Sequence, residues 1–145
     1  VPGIAAVKMP PLDGQDYTAE IEELRARVPE DFKIGYSGDW CAAPAFLACA
    51  DAWHSVVAGV LPEPAICLTQ AALAGDAEET ARLQALCAPM WALFEKYGSL
   101  RTIYGIAEIL GLTVGTAPLP VQGYVGLDQL DKLPAAIDSM VSAAK

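Results

Sequence analysis

A chain of 145 residues with 54% hydrophobic residues, 19% charged residues and a mean hydropathy of +0.34 can bury the core of one ordinary domain, which excludes an intrinsically disordered segment. Its 18 acids against 9 scattered bases leave a formal net charge of -9, so no basic footprint exists for nucleic acid. The longest uncharged stretch, 109–127, is interrupted by glycines, Pro118 and Pro120, and no membrane-spanning helix is expected there.

The chain opens inside an apolar run, and residues 4–7 read as a buried strand ending at Lys8, Met9 and the pair Pro10 and Pro11. An amphipathic helix is predicted over 16–28, with Ile21, Leu24 and Val28 at helical spacing, and a second strand over 32–36. A helix of small residues over 42–50 and a third strand over 53–57 follow. Next comes a helix over 63–73, with Pro62 and Pro64 at its start, where a missing N–H costs little. Strand alternating with helix implies βαβ units and a parallel sheet. Beyond 75 the pattern is helical. Asp76 followed by Glu79 resembles a capping box, and an apolar face runs from Leu83 to Tyr97, with a kink predicted at Pro89. A helix closed by Gly111 comes next, then a loop with Pro118 and Pro120. The final helical stretch carries Leu127, Leu130, Leu133, Ile137 and Val141 and is expected to break at Pro134. Two units result, a three-strand α/β part over 1–74 and a helical subdomain over 75–145. Three parallel strands are few for a sheet that needs both faces covered, so the α/β part reads as half of a larger fold.

Four residue groups carry candidate chemistry. Lys8, at the tip of a buried strand, would lose hydration there; that lowers a lysine's pKa and frees the amine as a nucleophile toward carbonyls. A lysine that extends its ammonium from the strand end into water is the other reading of the same stretch. In "YSGDW", Ser37, Gly38 and Asp39 close the second strand. They could line a ligand crevice, with Asp39 accepting from substrate hydroxyls, or cap the helix that follows. In the third strand, His54 could serve as an acid or base, as a pocket liner beside Ser55, or as a satisfied core histidine; no acid at fixed spacing supports a Ser-His-Asp triad. Cys41, Cys49, Cys67 and Cys87 show no C-x-x-C spacing and form no zinc set with His54. They read as small buried hydrophobes of a reducing compartment. With no signal-peptide pattern visible, a cytoplasmic location is expected.

Taken together, a lysine closing a strand in "GIAAVKMP", the S-G-D turn after the next strand, and "HSVVAGVLP" on the third resemble the second half of the dihydrodipicolinate synthase and N-acetylneuraminate lyase family. In that family the sixth strand of a (β/α)8 barrel carries a Schiff-base lysine, matched by Lys8, and the seventh ends in S-G-D, matched by Ser37, Gly38 and Asp39. The eighth commonly reads G-V-I-S-V-x-A-N-x-x-P, with Ser55, Ala58 and Pro62 in place here, but His54 where the family has Ile and Gly59 where it has Asn. "LAGDAEETARLQALCAPMWALF" and "AEILGL" resemble the family's C-terminal helices, so the similarity covers essentially the whole chain. Met9 stands where an acid often follows the lysine, and "YGSLRTIYGIAEILGL" replaces a common N-P-x-x-x-K segment. Both departures favour another 2-oxo acid over the substrate of dihydrodipicolinate synthesis.

The resemblance implies an α/β fold, namely strands six to eight of a TIM barrel over 1–74 with C-terminal helices over 75–145. It implies a class I aldolase, synthase or dehydratase acting on pyruvate or another 2-oxo acid. Lys8 would be the nucleophile, with Gly38, Asp39, His54 and Ser55 lining the pocket, and no metal or organic cofactor is needed. The family's Y-N-x-P tyrosine and its Thr-Thr or Ser-Thr carboxylate-binding turn are not in this sequence, so the chain is expected to need the N-terminal barrel half as partner and to be inactive without it. A complete barrel would be a homotetramer. The competing expectation is a non-catalytic half-barrel that self-associates or binds a partner through its open edges.

Overall fold

A computed structural model of the chain describes residues 3–11, 14, 16–112, 115, 117–118, 120 and 131–145. Three short strands alternate with helices in the first half: β1 (Ala6–Met9), α1 (Tyr17–Arg25), β2 (Lys33–Ser37), α2 (Ala42–Leu47), β3 (Ala52–His54) and α3 (Pro62–Leu73). Then come α4 (Ala77–Tyr97), α5 (Ser99–Ile109) and α6 (Leu133–Val141). The sheet order is β1-β2-β3 with both pairings parallel, as helical crossovers between consecutive strands require. Among the described residues no helix is long and apolar enough to cross a membrane.

Local signals explain the helix ends. The Asp16 carboxylate accepts from the N–H groups of Thr18 (2.9 Å) and Ala19 (3.4 Å) to start α1, and Asp76 accepts from Glu79 N–H at 3.0 Å to start α4. Gly75, at φ 71°, ends α3 by donating to the Ala72 carbonyl while Asp76 N–H donates to that of Ala71, each at 3.1 Å. Two residues thus end one helix and begin the next, which leaves no slack at the expected boundary between 74 and 75. Gly111, at φ 70°, closes α5 in the same way through Glu108 and Ala107.

One face of the sheet is covered. Val7, Met9, Ile34 and Tyr36 pack with Ile21 and Leu24 of α1 and Ala45 of α2, and the Tyr36 hydroxyl donates to Glu20. Trp53 of β3 joins a larger cluster in which Leu68 of α3, Leu83, Cys87, Met90 and Phe94 of α4, Ile106 of α5, and Leu133 and Met140 of α6 are buried. Trp53 meets Trp91 of α4 edge-on, with ring centroids 6.4 Å apart.

Several expectations change. The first strand is Ala6–Met9 rather than 4–7 and is half-exposed, because it is an edge strand with a neighbour on one side. The third strand stops at His54, leaving Ser55 to Val57 outside it. Pro134 lies in the first turn of α6, which has no use for its missing N–H, and the expected helical stretch before residue 131 lies outside the described residues. Cys41 and Cys87 are buried as expected, and burial pushes the Cys87 thiol up to about 12. Cys49 is exposed, because it occupies the left-handed position after α2 at φ 70°. Leu127 and Leu130 lie outside the described residues.

Candidate functional site

Side chains alternate across a strand, so the register decides what shares the uncovered face. Lys8 pairs with Gly35 and Gly35 with Ala52; one step on, Ser37 pairs with His54. Ala6 and Lys8 of β1, Lys33, Gly35 and Ser37 of β2, and Ala52 and His54 of β3 therefore share one face, opposite the helices. Lys8 and His54 are both exposed, and neither has a hydrogen bond or ion pair among the described residues. The desolvation expected of Lys8 is not present, for the same reason that β1 is half-exposed.

The missing side chain of Gly35 leaves room on this face for the His54 ring. A Cβ at this position would lie 2.7 Å from His54 Nε2 and 3.1 Å from its Cδ2, so the imidazole lies over the glycine, in the row of Lys8. Sequence reasoning passed over Gly35; a glycine inside the strand "KIGYS" was the available signal, since such a residue often marks a close approach.

The S-G-D turn organises the strand tips. Ser37 Oγ donates to the Met9 carbonyl at 3.0 Å, tying β2 to β1. Gly38 has φ 86°, and a Cβ there would come within 2.9 Å of the Pro11 ring, so the space beside it is filled by the segment after Lys8. Asp39 is 1% exposed and accepts from Ser55 Oγ (2.9 Å), Val56 N–H (3.0 Å) and Val57 N–H (2.9 Å), while Ser55 Oγ accepts from Ala58 N–H at 3.0 Å. Burial pushes the Asp39 carboxyl above the ordinary carboxylate range, and the hydrogen bonds from Val57, Ser55 and Val56 pull the other way. Asp39 and Ser55 thus form a clamp between the tip of β2 and the turn after β3, which is what bends the chain out of the strand beyond His54.

At the other end of the strands, Asp51 accepts from Ile34 N–H at 2.7 Å, pairs with Arg25 of α1 and lies 3.4 Å from the Lys33 ammonium. This network occupies Lys33, and Lys8 on the same face has no counter-ion among the described residues. Beside β3, a groove of about 340 Å³ is lined by Phe46, Trp53, Ile66 and Leu73, and among the described residues no further strand pairs with β1 or β3 at the sheet edges. No cluster of three His, Cys, Asp or Glu side chains suited to a metal occurs among the described residues.

The chemistry this geometry offers is that of a primary amine and an imidazole on one sheet face at the carboxyl ends of parallel strands. A model of the "Dihydrodipicolinate synthetase family" matches residues 1–139. No curated protein matches the chain. Among solved structures, dihydrodipicolinate synthase from Agrobacterium tumefaciens str. C58 is 46% identical with a TM-score of 0.91, over 96% of this chain and 46% of that one. A protein from Pseudomonas aeruginosa assigned as a dihydrodipicolinate synthetase is 25% identical with a TM-score of 0.82, over 97% of this chain and 47% of that one. Dihydrodipicolinate synthase from Aquifex aeolicus, 20% identical with a TM-score of 0.79 over 93% of this chain and 44% of that one, agrees in fold. The chain thus spans a little under half the length of these relatives, and its three β/α units correspond to part of their (β/α)8 barrel.

Proposed function

Since the chain belongs to the dihydrodipicolinate synthetase family, we propose that it supplies the lysine-bearing part of a Schiff-base-forming lyase, of aldolase, synthase or dehydratase type, that acts on pyruvate or another 2-oxo acid. The observation that carries this reading is the Lys8 amine, exposed and without a counter-ion among the described residues, on the sheet face where His54 leans over Gly35. The amine adds to the C2 carbonyl, water leaves, and the resulting iminium withdraws electrons from the adjacent bond that is made or broken. Gly38, Asp39 and Ser55 hold the strand tips that form the pocket wall, and His54 faces the pocket itself. The open edges of β1 and β3 and the apolar groove beside β3 support pairing with the remaining barrel strands, on which the residues that complete the site would lie. A completed barrel is expected to assemble as a homotetramer.

The test is reductive trapping. The chain is incubated with pyruvate and borohydride, by itself and after mixing with the N-terminal barrel half of the Agrobacterium relative, and adducts are located by peptide mass mapping. The expected result is an adduct on Lys8, much faster in the reconstituted barrel and absent in K8M. A reconstituted barrel without a Lys8 adduct would overturn the lyase reading in favour of a non-catalytic half-barrel, the alternative that the open sheet edges also support.

A further inference from the structure

The single-turn segment Asp39–Cys41, between the tip of β2 and α2, carries a backbone carbonyl that the following helix cannot use. In an α-helix the Trp40 carbonyl would accept from the residue four positions on, and that residue is Pro44 of α2, which has no N–H. The donor comes instead from α4, where Gln84 Nε2 donates to the Trp40 carbonyl at 3.0 Å. The amide is held in this orientation from its other side. Trp91, seven residues on and on the same helix face, donates from Nε1 to Gln84 Oε1 at 3.3 Å. Trp91 is itself buried against Trp53 and Phe94, with ring centroids 6.4 Å and 5.8 Å away. A flipped amide would set acceptor against acceptor at Trp40 and donor against donor at Trp91, so the side chain has one seating.

We propose that Gln84 is a positioning residue for the substrate pocket: from the helical side it fixes the turn Asp39–Cys41 and, through that turn, the tip of β3. Trp40 and Asp39 are consecutive, so a shift of the Trp40 carbonyl moves the carboxylate that holds Ser55, Val56 and Val57. The spacing of the β2 and β3 tips then depends on a helix outside the three β/α units. This role rests on the lyase reading, in which those tips are the pocket wall.

The test measures the rate at which pyruvate and cyanoborohydride modify Lys8 in the reconstituted barrel, as a function of pyruvate concentration. Wild type is compared with Q84M, which keeps the length of the side chain and loses both hydrogen bonds, and with Q84E, which keeps the acceptor for Trp91 and loses the donor to Trp40. R82Q, an exposed change on the same helix, is the control. Half-saturating pyruvate is expected to rise about tenfold in Q84M and in Q84E, the equivalent of one hydrogen bond, with a smaller change in maximal rate, and R82Q should match wild type. A residue that only stabilises the fold would lower the maximal rate through the folded fraction and leave half-saturation where it was; that result would overturn the assignment of Gln84 while leaving Lys8 in place. Hydrogen exchange on the chain by itself is the second measurement. The Val56 and Val57 amides should exchange about tenfold faster in Q84M, with Ile34 at its wild-type rate, and unchanged exchange at Val56 and Val57 would also overturn the assignment. A wild type with no Lys8 adduct would overturn the lyase reading and the pocket role of Gln84 with it.

Discussion

Asp39 sits 1% exposed at the end of β2, yet its influence is felt on β3, where it holds Ser55, Val56 and Val57. Its removal leaves two backbone N–H groups and a hydroxyl without their acceptor in a buried setting, each a loss of about 1 to 3 kcal/mol before relaxation. D39A is expected to lower unfolding stability by about 3 kcal/mol in urea titration. D39N, which keeps one carbonyl acceptor, should lose less, and equal losses would show that the acceptor is not what matters. The position is legible in the sequence as the acid of S-G-D, but its role is not. The motif permits a substrate contact, a helix cap or a clamp, and the choice depends on where the turn after β3 passes, sixteen residues away. Gly35 was still less legible, because the reason for its missing side chain is a histidine on another strand.

At the scale of elements, the amino-terminal ends of the strands are joined by charge. Asp51, just before β3, binds Arg25 from α1, Lys33 from β2 and the Ile34 N–H. Burial alone would raise its carboxyl, but these partners outweigh burial and hold it below the ordinary carboxylate range. The unfolded chain therefore binds the proton more readily. The stability this group contributes is present above about pH 4 and is lost as pH falls through its lower folded value. Urea midpoints measured between pH 7 and 3 should fall more steeply for wild type than for D51N below about pH 4, and parallel curves would remove Asp51 from the account. The helical elements were the most legible in the sequence, since Asp16, Asp76, Gly75 and Gly111 mark their ends by chemistry that needs no distant partner. The strands were less so. Apolar residues at 4–7 signal burial, but burial of an edge strand depends on the neighbour beside it, and the period of two reports a face without saying what covers it. Near Pro134 the apolar spacing of the sequence does not mark where a helix begins; α6 begins at Leu133, with the proline in its first turn.

The molecule as a whole has a covered side and an uncovered one. Lys33 N–H donates to the Ala5 carbonyl at 2.9 Å, so the odd-numbered residues of β1 address β2, and the N–H groups of Ala6 and Lys8 point to the open edge. Pro10, next in that series, has no N–H to offer, a residue type suited to an edge that must not pair indiscriminately. Hydrogen exchange should find the Ala6 and Lys8 amides fast and Ile34 slow in the chain by itself. Protection of Lys8 after addition of the complementary barrel half would show β1 gaining a neighbour; unchanged rates would show that the two halves do not join through this edge. The sequence motifs placed the lysine, the S-G-D turn and the histidine on successive strands, and only the register brought the lysine and the histidine to one side. On the covered side, the edge-on contact of Trp53 with Trp91 gives the molecule an optical reporter. Two indoles 6.4 Å apart, one from the sheet and one from the longest helix, hold a fixed mutual orientation while the layers stay seated. Their near-ultraviolet circular dichroism, which depends on fixed tertiary packing, therefore reports directly on whether the helices remain docked when strands are added at the far side.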